Sequence, residues 1–222
     1  MLIAVPAAAT PRLRDRLSAA PDGPLQVLHR GPQAVYLVLD DGREQSALGI
    51  LAEGAVCVPN GLRTALPRLD ALDLSAPGVA GGELRLGEQT LRIARLVDAS
   101  APRVVTAGGD ASRAHAILAG IGRGDGLTPY GDDVACGWLA TRHAAGLAVP
   151  GAQVRAAARR TTLLSATLLD AALHGEVVPE FAAWLASRSV EDEAALLAVG
   201  ASSGRGLLEG ARIALGDLVV AA

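Results

Sequence analysis

Gly120-Ile121-Gly122-Arg123-Gly124-Asp125-Gly126-Leu127-Thr128-Pro129-Tyr130-Gly131-Asp132-Asp133 is where the chain changes character. Three glycines alternate between Gly122 and Gly126, a spacing that permits positive φ and close approach of a ligand to the backbone. Thr128-Pro129 then reads as N-cap and first helical position. A glycine-rich loop therefore feeds a helix N-terminus, where free N–H groups and the positive end of the helix dipole attract an anion.

Downstream of this stretch the apolar period is helical. The spacing predicts helices over 111–120, 129–146, 151–174, 177–188, 191–199 and 204–215, punctuated by Pro150, Gly175 and Gly200. Helix 129–146 is apolar or small almost all round, which predicts a buried central helix. Upstream, short β-like runs alternate with turn signals: Leu25–His29, Ala34–Leu39, Ser46–Leu51, Ala55–Val58, Glu83–Leu86 and Thr90–Val97. Residues 7–19 read as a leading helix, 62–75 as a helical insert or loop, and 75–82 as a surface loop. The fold class expected is α+β. A β-rich N-terminal half, residues 1–108, forms a small antiparallel sheet or barrel, and an all-helical C-terminal half, residues 109–222, carries the loop and acid pair.

Composition narrows the chemistry. Half of the 222 residues are hydrophobic but only 2% are aromatic, so the core is built from Ala, Leu and Val. Every Lys/Arg cation is Arg, which removes lysine Schiff-base chemistry and the P-loop lysine. A net charge of −3, with no basic stripe and few rings for stacking, argues against nucleic-acid binding. No apolar run reaches the roughly 18 residues that span a bilayer, and the N-terminus lacks the basic region of a signal peptide. The expectation is a cytoplasmic protein without a membrane segment. Cys57 and Cys136 read as buried thiols. His29, His115, His143 and His174 lack metal-ligand spacing.

Within the loop, Arg123 offers a guanidinium fork for a carboxylate or phosphate. The backbone of Gly124, Gly126 and Leu127, with Thr128, supplies further donors. Asp132 and Asp133 would repel a bare anion. They make sense if a Mg²⁺ bridges them to it, or if the ligand is an anion that also carries an amide. Adjacent helical residues diverge by about 100°, so one of the pair is expected to face the ligand. The bland alternative is that acids in a first turn only stabilise the helix dipole. A second glycine- and serine-rich segment, Gly200-Ala201-Ser202-Ser203-Gly204-Arg205-Gly206, opens the last helix; alone it reads as an ordinary Ser cap. Thr161, Thr162 and Ser165 fall on one face if 151–174 is a single helix, either bonding back to its carbonyls or lining the same site. Glu176 and Glu180 read as an exposed pair.

Gly122 to Asp133 resembles the signature of the AllH-type subunit of oxamate carbamoyltransferase, which runs roughly Gly-Arg-Gly-Pro-Gly-Leu-Thr-Pro-Ser-Gly-Asp-Asp. Thr161-Thr162 with Ser165, the stretch ending at Glu180 and the Ser202-Ser203-Gly204 loop follow in the family's order. Asp125 stands where the family usually has Pro, Tyr130 where a small residue is frequent, and Ala201 where a His is common. The resemblance implies a subunit of a multi-subunit enzyme of anaerobic allantoin and purine degradation. That enzyme exchanges a carbamoyl group between oxalurate and carbamoyl phosphate, giving oxamate. The implied partners are other carbamoyltransferase subunits and a small anionic amide or phosphate ligand. The implied site is Asp132 and Asp133 as catalytic residues, with Arg123, Gly124, Gly126, Leu127, Thr128, Thr161, Thr162, Ser202, Ser203 and Gly204 binding substrate. The other reading is a non-catalytic partner or metabolite sensor.

Overall fold

The computed structural model describes residues 3–109, 112–216 and 218–219. Its elements, in chain order, are β1 (Ile3–Ala9), α1 (Pro11–Ala19), β2 (Gly23–Pro24), β3 (Val27–Arg30), β4 (Ala34–Asp40), β5 (Gln45–Leu51), β6 (Gly61–Thr64), β7 (Pro77–Ala80), β8 (Glu83–Leu86), β9 (Gln89–Leu96), β10 (Gly108–Gly109), α2 (Ala114–Gly120), α3 (Tyr130–Ala144), α4 (Gly151–Ala158), α5 (Leu163–Leu173), α6 (Pro179–Ser187), α7 (Val190–Leu197), α8 (Ser203–Gly216) and β11 (Leu218–Val219). The α+β reading holds: a strand-rich half precedes a helical half.

Contacts divide the chain into Met1–Asp98 and Ala99–Ala222. The division falls ten residues before the sequence boundary at 108 because the segment after Ala99 bonds to the helical unit. Val177 N–H donates to Ala99 O at 2.8 Å, Ala101 N–H to Gly175 O at 2.7 Å and Val104 N–H to Ala144 O at 2.9 Å.

In the first unit nine strands form one sheet, in the order β2-β7-β8-β9-β1-β6-β5-β4-β3. The sheet is mixed rather than antiparallel throughout, since β1 runs parallel to β9 and β5 parallel to β6. Residues 7–9 are the end of the central strand β1, and the helix starts only at Pro11. Alanine favours helix locally, but here Ala7, Ala8 and Ala9 are buried between neighbouring strands, and tertiary pairing wins. Pro6 is tolerated because β6 pairs only with Ala7 and Ala8, leaving Pro6 a strand neighbour on one side alone. The Thr10 hydroxyl caps α1, accepting from Leu13 N–H at 3.2 Å.

Period-two alternation is clear in β4, where Val35, Leu37 and Leu39 are buried, and in β8, where Leu84 and Leu86 are. With Leu13 and Leu17 of α1 and Leu48 and Ile50 of β5 they form the core. Each such fully buried aliphatic side chain contributes about 2 kcal/mol. Three local expectations are corrected. Ala55–Val58 is a turn segment, the loop at 75–82 contains β7, and residues 62–75 begin as strand β6 without forming a helix.

The helical unit is organised around α3. Twelve of its residues are buried, among them Trp138, Leu139 and Thr141, as its all-round apolar character predicts. It crosses α8 at very short range. A Cβ on Gly137 would collide with the Leu207 carbonyl, and one on Gly210 with the Val134 carbonyl, so only glycine allows this approach. The helix expected over 151–174 is two helices, α4 and α5. The break at 159–162 is made by Thr162, whose hydroxyl accepts Ser165 N–H at 3.1 Å as the N-cap of α5. Ala111 lies outside the described residues. No helix among the described residues is long and apolar enough to cross a membrane.

Candidate functional site

The loop between α2 and α3 takes its shape from glycine. Gly122, Gly124 and Gly126 adopt φ of +82°, +115° and +94°, which L side chains rarely tolerate. Arg123 N–H donates to Gly120 O, and Gly131 N–H returns to Arg123 O, both at 3.0 Å, so the loop closes on itself. Helix α3 starts one residue later than expected. Pro129 is the N-cap residue and no side chain caps the helix. Thr128 is therefore free of capping, and its hydroxyl lies 3.1 Å from that of Ser203.

Asp132 and Asp133, in the first turn of α3, are only 1% and 4% exposed. Their environments differ. Asp132 accepts Gly122 N–H at 2.6 Å through Oδ1 and the Thr161 hydroxyl through Oδ2. It binds the loop and the α4–α5 turn to the start of α3. Asp133 Oδ2 is buried with no hydrogen-bond partner among the described residues. Burial pushes the Asp133 carboxyl up to about 7; hydrogen bonding from Ser203 opposes the rise and the neighbouring Asp132 charge adds to it. Its Cβ rests against Gly206 of α8, where any side chain would press on it.

The segments singled out in the sequence converge here, though not as a helix face. Thr161 and Thr162 lie in the turn before α5. The Thr162 hydroxyl donates to Leu127 O at 2.6 Å, holding the far side of the loop. Ser165 is buried within α5, and its hydroxyl has no partner among the described residues. It is Thr167 whose hydroxyl bonds back, to Leu163 O at 2.8 Å. Ser203 joins Thr128 and Asp133, whereas the Ser202 side chain is exposed. Gly204 N–H is committed to Val199 O at 2.9 Å, so that glycine serves the α7–α8 junction.

Arg123, Gly124, Asp125, Gly126 and Leu127 are all exposed. Among the described residues, no backbone N–H from Gly124 to Thr128 donates to another group. These unused donors lie next to the start of α3. Both oxygens of Asp132 already take donors, and no group of three or more His, Cys, Asp or Glu among the described residues is placed to hold a metal.

Other features escaped the sequence reading. Tyr130 donates its hydroxyl to Glu209 Oε2 at 2.6 Å, and burial with that carboxylate raises the phenol to about 12. Arg205 does not join the loop; it lines a cleft of about 560 Å³ with Arg113, Glu193, Glu209 and Arg212. Glu176 and Glu180 are half-buried rather than exposed. Cys57 is half-buried and only Cys136 fully buried.

The class defined by this arrangement is a helical module with unused backbone donors beside a helix N-terminus and, in the first turn of that helix, a buried carboxyl with one unpartnered oxygen. Residues 120–215 match the model of the family described as oxamate carbamoyltransferase subunit AllH. The matched segment holds the loop, both aspartates, Thr161, Thr162 and Ser203, and in this segment the chain is similar to that family. No curated protein and no solved structure matches the chain.

Proposed function

We propose that the chain is a subunit of oxamate carbamoyltransferase. Its Gly122–Thr128 loop and first α3 turn bind a small anion that carries an amide. The observation behind the reading is the unpartnered, buried Asp133 oxygen beside a loop whose N–H groups from Gly124 to Thr128 donate to nothing among the described residues. An anionic group suits the N–H groups and Arg123; an amide N–H suits the carboxyl. Carbamoyl phosphate, oxalurate and oxamate all combine these two features.

In carbamoyl transfer a phosphate oxygen attacks the carbamoyl carbon of oxalurate through a tetrahedral oxyanion. The C–N bond to oxamate then breaks, and that nitrogen takes a proton. Backbone donors fixed in advance stabilise such an oxyanion without reorganising during the reaction. Here the candidates are the N–H groups of Gly124 to Leu127, with the Arg123 guanidinium.

The exposure of residues 123–127 supports the subunit reading: this chain supplies one wall, and other carbamoyltransferase subunits complete the site in the cytoplasm. The same exposure favours a second reading, a non-catalytic partner that senses the ligand. Calorimetric titration of the full chain with carbamoyl phosphate, oxamate and oxalurate, with and without Mg²⁺, tests the binding claim. Saturable heat with at least one of them is expected, and silence with all three refutes it. Carbamoyl transfer on mixing with the partner subunits, lost in Asp133→Asn, separates enzyme subunit from sensor.

A further inference from the structure

Resting on that reading, we propose that the adjacent aspartates divide the work: Asp133 is the specificity-determining residue that accepts the ligand's N–H, and Asp132 is a positioning residue that holds the loop.

Asp132 is already engaged by the protein through both of its oxygens. Each of its oxygens takes one protein donor, Gly122 N–H from the loop and the Thr161 hydroxyl from the α4–α5 turn. Those bonds join three separate segments, which is a fastening. Asp133 is equally buried but keeps Oδ2 unpartnered among the described residues. A buried carboxylate oxygen without a donor is costly, and a protein retains it when a bound group supplies what is missing. The side chain is also held in place, with its Cβ against Gly206 and the Ser203 hydroxyl beside the carboxyl. Ser203 is in turn braced by Thr128 at 3.1 Å.

The surrounding charges point the same way. Asp132 lies next in the chain, Glu209 is bonded to Tyr130 nearby, and the Arg205 cation lies on the α8 side. An –NH₂ group can donate to the unpartnered Asp133 oxygen; a methyl group of the same size cannot. Carbamoyl and acetyl phosphate differ by that exchange alone, and both present the same phosphate to the loop.

Titration of the full chain at pH 8 with each of these phosphates tests the division. Wild type binds carbamoyl phosphate ten- to a hundredfold more tightly than acetyl phosphate, the discrimination expected of a hydrogen bond to a charged group. In Asp133→Ala the ratio falls to near one. If that variant does not fold, Asp133→Asn, which keeps the shape, must lower the ratio at least severalfold. Asp132→Asn retains an acceptor for Gly122 N–H, and the Thr161 hydroxyl can turn to accept from its amide. It weakens both phosphates by the same factor and leaves the ratio unchanged.

Equal binding of the two phosphates by wild type overturns the inference while leaving an anion site standing. So does a ratio lost in Asp132→Asn but kept in Asp133→Ala. Binding of neither phosphate removes the underlying reading, and the inference with it.

Discussion

Replacing Asp133 by asparagine changes how stability depends on pH. The wild-type carboxyl titrates at about 7 in the folded chain against 3.8 for the free group, chiefly because it is buried. The difference is about three pH units at about 1.4 kcal/mol each, so ionised Asp133 costs the folded state about 4 kcal/mol. The folded pKa is the higher one, so between these values the folded state holds more protons than the unfolded state. The contribution of Asp133 to stability is therefore greatest below pH 4, falls as pH rises towards 7, and levels off above it. The amide of Asp133→Asn does not ionise, which removes that slope. At pH 8 the variant is expected to be more stable than wild type by up to about 4 kcal/mol, less what its amide loses by lacking a full set of partners. Near pH 4 the advantage vanishes. Both tryptophans, Trp138 and Trp184, lie in the helical unit, so urea unfolding followed by tryptophan fluorescence reports on that unit. Parallel stability curves for wild type and variant from pH 4 to 8 would refute this assignment of the buried charge.

Gly137→Ala drives a methyl group into the Leu207 carbonyl at the α3–α8 crossing. Over-packing of this kind costs about 1–3 kcal/mol, and a fall in the urea midpoint of the tryptophan transition is the expected readout. Thr162→Val removes both the α5 cap and the bond to Leu127 O. A loss of about 1–2 kcal/mol is expected, together with faster amide exchange in α5 and the loop; unchanged exchange would show that Thr162 does not hold them.

The switch from strand-like to helical patterning and the all-round apolar helix that became α3 were legible because each is a local, repeated signal. So was the loop entering a helix, since alternating glycines supply the positive φ of a tight loop and Pro129 marks the start of the helix after it, although Thr128 does not cap it. What was missed depends on distant partners. Ala7 to Ala9 read as helix because alanine's own preference is helical, and only the flanking strands β9 and β6 make them strand. The break at 159–162 was hidden because Thr162 resembles a mid-helix residue until its hydroxyl is seen capping Ser165. The parallel pairings were invisible, since strand direction is set by connections rather than composition. Gly137, Gly206 and Gly210 had no motif to mark them; their role appears only when α8 lies across α3. Asp132 and Asp133 are chemically identical in the sequence. Their difference lies in which donors reach them.

Backbone amide NMR of the full chain during titration with carbamoyl phosphate tests the central claim most directly, because it locates the ligand. Saturable shifts centred on Gly124, Gly126, Leu127 and Thr128 are expected, with smaller shifts at Asp133 and Ser203. Saturable binding that shifts other residues and leaves this loop unmoved would refute the site.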